Sequence, residues 1–254
     1  LHGSSAASDV YKRQIQSYTA HLRQPYSTGE PGYRGQPRGA PADLAQKALR
    51  YHTAGLQLAI HGNGDAAIDT ILDTLAAVQQ AHPRTDARHI VIHAQLADAG
   101  QLDRMQALGV TPSFFVQHVW YWGDRHRTIF LGEDRAARLD PVQSARQRGL
   151  RPTIHADSPV VPIRPLEMMA VARERTTRSG VLLGPDERLT ATQALRAVTI
   201  DAAWQQHLDA DRGSLEPGKL ADFVVLSGPL QAPNAAVVQT VVGGRVVYEA
   251  GSVR

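Results

Sequence analysis

The chain has 254 residues, 43% of them hydrophobic and 20% charged, which suits one large globular domain with a small appendage and excludes a disordered or fibrous class. The formal net charge is only +3, with arginines scattered and no basic block interleaved with aromatics, so no nucleic-acid partner is expected; no apolar run is long enough to span a membrane. The absence of cysteine excludes disulfides, thiolate catalysis and thiolate zinc sites, and fits a reducing, cytoplasmic location.

The chain opens with LHGSSAASDVYKRQ, which has no initiator Met and no apolar run of the kind a secretory signal needs. Residues 4–14, SSAASDVYKRQ, match in one frame the translation of a transposon-based sequencing-library adapter. Residues 1–14 are therefore expected to be non-native and disordered, with the gene interrupted just before Ile15. Residues 15–40, rich in Gly, Pro, Tyr and Arg, read as a long irregular loop.

From Pro41 a rhythm begins. PADLAQKALRYHTAG predicts a helix with Leu44, Ala48 and Tyr51 on one side and Gly55 as its stop. LQLAIH (56–61) is a short apolar strand. Asp65 then caps a helix whose apolar stripe is Ile68, Ile71, Leu72, Leu75 and Val78. The unit repeats as strand HIVIHA (89–94), helix AGQLDRMQALG, strand VTPSFFV (110–116), a long aromatic loop, and a helix ending at RQRG. Strand RPTIHAD (151–157) follows, then a helix around LEMMAVARERTTRSG and another over Thr190–Val198 with Thr190 as its cap. This alternation predicts an α/β fold with a parallel sheet between helices, over residues 15–213. Beyond GSLEPGKLAD the grammar changes: DFVVL (222–226) and VVQTVVGGRVVYEAG (237–251), turning at Gly243-Gly244, predict a separate β-element over residues 214–254.

Three predicted strands end in residues that can bind a metal: His61, His93 and Asp157. In a parallel barrel the strand C-termini form the mouth where sites are built, so two imidazoles and a carboxylate are aimed at one place. That donor set suits Zn²⁺ or a similar divalent cation. Taken singly, a strand-end His is more often a hydrogen-bonded structural residue, and Asp157 can equally cap the loop DSPVVPIRP. His155 shares the face of Asp157 and either contacts a ligand or packs inside. The loop QHVWYWGDRH (117–126) carries His118, Tyr121 and Trp122, which read either as a pocket wall with His118 reaching a substrate or as an ordinary aromatic cluster. His21, His52, His82, His89, His126 and His207 are expected to be solvated. No HExxH, GxSxG, P-loop or GxGxxG occurs.

The strings IHGNGDAAID, HAQ (93–95), HADSPV (155–160), ALRAVTIDAAW and GSLEPGKLADFVVL, in this order, resemble the amidohydrolase superfamily, specifically the YtcJ-like amidohydrolase family 3. The resemblance implies a TIM-type (β/α)₈ barrel with a small β-sandwich, of which this chain holds strands five to eight and a C-terminal piece of the sandwich. It also implies one or two divalent ions, most suitably zinc, held by His61, His93 and Asp157, with Asp157 as the general base that takes a proton from the attacking water. The substrate expected is a small molecule with an amide-type C–N bond, and His118, Tyr121, Trp122 and His155 are the candidates for its side of the site on the pocket-wall reading given above. The chain departs from the family pattern in having no His-x-His pair. Of its three lysines, Lys12, Lys47 and Lys219, the latter two fall on a helix and in a turn, so neither can bridge two metals. Two further readings follow: a catalytically inactive fragment that binds metal or ligand weakly, and a half-barrel that self-associates through its open edges.

Overall fold

The computed structural model describes residues 14–37, 39–232 and 234–251. The expectation of disorder over residues 1–13 lies outside them. Gln14 is described, and it is packed: its carbonyl accepts from the Ser17 and Thr19 N–H groups.

Four parallel strands form the central sheet in the order β1 (Ala59–Gly62), β2 (Ile90–His93), β3 (Thr111–Phe114), β4 (Thr153–Ile154). The helices α1 (Pro41–Thr53), α2 (Asp65–Ala81) and α3 (Ala99–Ala107) link or flank the first three strands as expected. The five apolar residues read as the stripe of α2 are all buried, each contributing about 2 kcal/mol of transfer free energy. Pro41 opens α1 and Gly55, at φ +82°, follows its end. The strands are shorter than their apolar strings. Asp157, at φ +51°, has already left extended geometry, so RPTIHAD contributes only two residues to the ladder.

Two segments differ from the sequence reading. The aromatic stretch 117–126 is not a loop: it forms α4 (Gln117–Arg125), which runs on into a π-helical turn over His126–Phe130. Its buried positions, His118, Val119, Gly123 and His126, recur at helical spacing and outweigh the poor helix propensity of the aromatics. Asp65 does not cap α2 but is its first residue, and its carboxylate accepts from the N–H groups of Arg23 and Ala66. Residues 15–40 are largely irregular as expected, yet Ile15, Ala20, Leu22 and Tyr26 are buried in a cluster with Phe130, Leu131 and Leu139.

Two short helices, α5 (Glu133–Ala136) and α6 (Val142–Gln147), lead to β4; α7 (Pro165–Glu174) and α8 (Ala191–Val198) follow. Thr190 caps α8 reciprocally with Gln193. The helix α9 (Ile200–Gln205) then lies across the N-terminal ends of the strands. Trp204 is held between the guanidinium groups of Arg88 and Arg151, 4.5 and 4.8 Å from its ring. The Gln205 carbonyl accepts from Gln57 at 2.7 Å, and the Gln205 side chain reaches Thr111, Pro112 and Thr153. The C-terminal element is a three-stranded antiparallel sheet, β5 (Phe223–Leu226), β6 (Val237–Val242) and β7 (Arg245–Glu249). Its tight turn takes φ +55° and +76° at Gly243 and Gly244, positions where a side chain would be strained. Among the described residues no helix is long and apolar enough to cross a membrane.

The histidines expected to be solvated divide. His82 and His207 are exposed, whereas His52, His89 and His126 are buried. The reason for the first buried pair is a hydrogen-bond chain at the foot of the sheet. The Leu58 N–H donates to His89 Nδ1 at 3.0 Å, His89 Nε2 lies 2.8 Å from His52 Nδ1, and His52 Nε2 lies 2.7 Å from the His82 carbonyl. Only one proton fits between the two rings, so both are neutral with hydrogen on Nε2. Any added proton breaks a link. Burial, with the neighbouring charge of Arg84, holds His52 below its ordinary value and pushes His89 down to about 4. The unfolded chain binds protons below its ordinary value of 6.5, so this stabilisation is complete above that pH and declines as pH falls through the window towards 4. We predict a loss of up to about 1.4 kcal/mol per pH unit from His89 in that window, with His52 acting in the same direction. Urea unfolding against pH measures it, and the double variant His52→Gln/His89→Asn shows a flatter profile.

Candidate metal centre

The parallel ladder places Gly62 beside His93, so the ends of β1 and β2 lie together. The His61 and His93 rings meet edge to face with centroids 4.7 Å apart. His93 closes β2 at φ +71°, Ala94 follows at φ +47°, and Asp157 sits at φ +51°. For non-glycine residues this left-handed geometry costs about 1–2 kcal/mol each. Such strain clusters at ligand-binding sites, where surrounding packing over-determines it.

The donor atoms of His93, His155 and Asp157 all lie within 4.8 Å of one another. His155 stands just past β4, its N–H donating to the Phe114 carbonyl at 3.0 Å, with its ring 4.9 Å from that of His93 and stacked on Phe115. His155 Nδ1 lies 3.0 Å from the Ser113 hydroxyl on β3. Two imidazoles and a carboxylate, partly buried, form a donor set that fits a divalent cation: ligands of tetrahedral zinc stand about 3.4 Å apart, within small side-chain adjustments of this cluster. Of the residues expected as ligands, His93 and Asp157 are in the converging group; His61 is against His93 but outside it, and His155 takes the remaining place.

The string HGNGD owes its form to a chain crossing. At Gly64 a Cβ would lie 2.0 Å from the His21 carbonyl oxygen, so the segment 20–23 passes over the end of β1 only because no side chain is there. The Arg23 N–H then binds the Asp65 carboxylate at 2.8 Å, and the Arg23 guanidinium binds Asp69 and Asp98. His61 and Asn63 line a cavity of about 510 Å³ between α1 and the outer edge of β1, together with Tyr51 and Lys47. His155 and Asp157 line a second, of about 280 Å³, with Ile154, Met168 and Val198.

His118 is fully buried with its ring 5.7 Å from His93. Its Nδ1 is 3.4 Å from Asp140 Oδ1 and its Nε2 is 3.3 Å from Gln14 Oε1. Burial pushes His118 down to about 3, against the opposing charge of Asp157, and pushes the Asp140 carboxyl well above the usual carboxylate range. With the imidazole neutral, the contact is not a pairing of an imidazolium with a carboxylate. Asp140 is itself locked at φ +48° by the buried guanidinium of Arg175, which donates to the Leu139, Asp140 and Leu183 carbonyls. Trp122 packs on both Phe115 and His118, and Tyr121 lies under Arg178. Sequence reasoning missed Ser113 and Asp140. Asp140-Pro141 carries a visible turn signal; nothing local marks Ser113.

A parallel α/β sheet with imidazole and carboxylate donors at the C-terminal ends of its strands defines the class. The chain belongs to the amidohydrolase family, whose sequence profile matches residues 4–248. It is 35% identical over 216 residues to the N-substituted formamide deformylase of Arthrobacter pascens, covering 82% of this chain and 39% of that protein. It is 26% identical over 245 residues to the amidohydrolase YtcJ of Bacillus subtilis, covering 91% and 44%. A metal-dependent hydrolase from Pyrococcus horikoshii superposes with a TM-score of 0.70 at 27% identity, over 81% of this chain and 41% of that one. The chain thus spans about two-fifths of these relatives' length.

Because burial keeps the imidazole neutral, we predict that His118 does not titrate between pH 5 and pH 8. Ring-proton NMR shifts that stay at neutral-imidazole values across this range check it.

Proposed function

We propose that this chain carries the metal-binding part of a hydrolase that cleaves the C–N bond of a small amide-type molecule. The observation that carries the reading is the convergence of His93, His155 and Asp157. Family membership and the resemblance to a formamide deformylase support the reaction class. On this reading β1 to β4 are the fifth to eighth strands of a (β/α)₈ barrel, and the C-terminal sheet is one piece of a small sandwich.

His93, His155 and Asp157 would hold the cation, most suitably zinc, with His61 at its margin. A bound divalent ion supplies Lewis acidity and lowers the pKa of a water molecule towards neutrality. Asp157 is the general base: its carboxylate accepts the proton released from the attacking water. The neutral His118, clamped by Asp140, backs the imidazole of His93. Tyr121 and Trp122 give an apolar wall suited to the substituent on the amide nitrogen, so an N-substituted formamide is the first substrate to test.

A second reading, an inactive fragment that binds metal without turnover, is favoured by the absence of any His-x-His pair. Zinc titration by calorimetry, followed by assay of formate release, separates the two. Stoichiometric zinc uptake with hydrolysis supports the first reading; uptake without hydrolysis supports the second; no uptake overturns both. Replacement of His93, His155 or Asp157 by Ala is expected to weaken zinc binding by about 100-fold or more.

A further inference from the structure

The apolar face of α1 is only half covered. Leu44, Ala48 and Tyr51 recur at helical spacing on one side, yet of the three only Ala48 is buried. The five apolar residues of the α2 stripe, by contrast, are all buried. What lies against α1 instead is the cavity of about 510 Å³ beside the outer edge of β1, with Leu44, Tyr51, Ile60 and Ile71 in its apolar wall. That volume falls in the range of about 300–1,000 Å³ usual for small-molecule sites.

The polar groups of the lining are few and of distinct kinds. Lys47 stands one helical turn from both Leu44 and Tyr51 and lines the same cavity. It is exposed, and among the described residues no carboxylate pairs with it. Asp43, one turn earlier on α1, is exposed at the same rim. A single negative charge can therefore settle on the Lys47 ammonium, whereas a second one meets the Asp43 carboxylate. His21 enters the lining from the segment that crosses Gly64, and its Nδ1 is buried without a hydrogen-bond partner. A buried polar atom in that condition is a natural contact for a bound molecule. His61 also lines the cavity, with its ring against His93, so whatever is held there stands beside the candidate metal centre.

We propose that this cavity is a binding site for a small apolar monocarboxylate, with its hydrocarbon body between α1 and β1 and its carboxylate on the Lys47 ammonium. The division of labour follows from the physics of the two parts. Burial of the body supplies most of the affinity, because apolar transfer scales with the area removed from water. An ion pair at an exposed rim adds only several-fold, so Lys47 contributes selectivity for an acid over its neutral amide. Asp43 contributes selectivity for one carboxylate over two. The site stands on the lining of the cavity alone and holds whether or not a cation binds at the strand ends.

The test is a methyl-resolved ¹H–¹³C NMR titration of the full chain at neutral pH without added metal. The probes are 3-phenylpropanoate, its neutral counterpart 3-phenylpropanamide, and the dianion phenylsuccinate. Saturable shifts are expected at the methyl groups of Leu44, Ile60 and Ile71, with 3-phenylpropanoate bound roughly 5-fold more tightly than the amide. Phenylsuccinate is expected to bind more weakly than 3-phenylpropanoate. Lys47→Met is expected to abolish the preference for the acid while leaving the affinity for the amide unchanged, and Lys47→Arg to retain the preference. Lys47 is exposed, so neither variant threatens the fold. The absence of saturable shifts at these methyl groups overturns the site. A preference for the acid that survives Lys47→Met overturns the role of Lys47, and phenylsuccinate bound as tightly as 3-phenylpropanoate overturns the assignment to a monoanion.

Discussion

In a parallel sheet every strand delivers its final residues to the same edge, and the pairing of Gly62 with His93 and of Ser113 with Thr153 decides which side chains meet there. All the chemistry proposed for this chain depends on that alignment. The ladder brings the His61 and His93 rings together, seats His155 beside Phe115, and puts the hydroxyls of Ser113 and Thr153 in a row beneath His155. A slip of one residue would turn each of these side chains to the other face of the sheet. The burial of apolar side chains on α2 and along β2 and β3 is what makes such a slip costly.

Around this frame the interior selects neutral groups. Removing a charge from water is expensive, so buried titratable residues shed it and use hydrogen bonds instead. The His52–His89 pair and His118 are outcomes of this rule. Arg175 is the counterexample that keeps its charge, spread over three backbone carbonyls. Once rings are neutral, the placement of a single proton becomes informative.

The sequence made some of this legible. The βα alternation, the stripe of α2, the caps at Gly55 and Thr190, the Gly243-Gly244 turn and the strand-end positions of His61 and His93 all follow from local patterns of two or three and a half residues. Family membership, inferred from five short strings in order, holds over residues 4–248. The aromatic stretch 117–126 misled because composition suggested a loop while the spacing of its buried residues was helical. The buried histidines misled because an imidazole in a helix or connection looks the same whether it faces water or another imidazole.

The sequence by itself determined most of the strands and helices, the stretch 117–126 excepted, and that His61 and His93 stand at strand ends, because these depend on periodicity over neighbouring residues. Only the tertiary structure brought the donor atoms of His155, His93 and Asp157 within 4.8 Å of one another. It alone also paired His52 with His89, Asp140 with His118, and Gln205 with Thr153. The physical reason is range: these partners are 37, 22 and 52 residues apart. Hydrogen bonds of that reach form only after the sheet has brought the strands side by side.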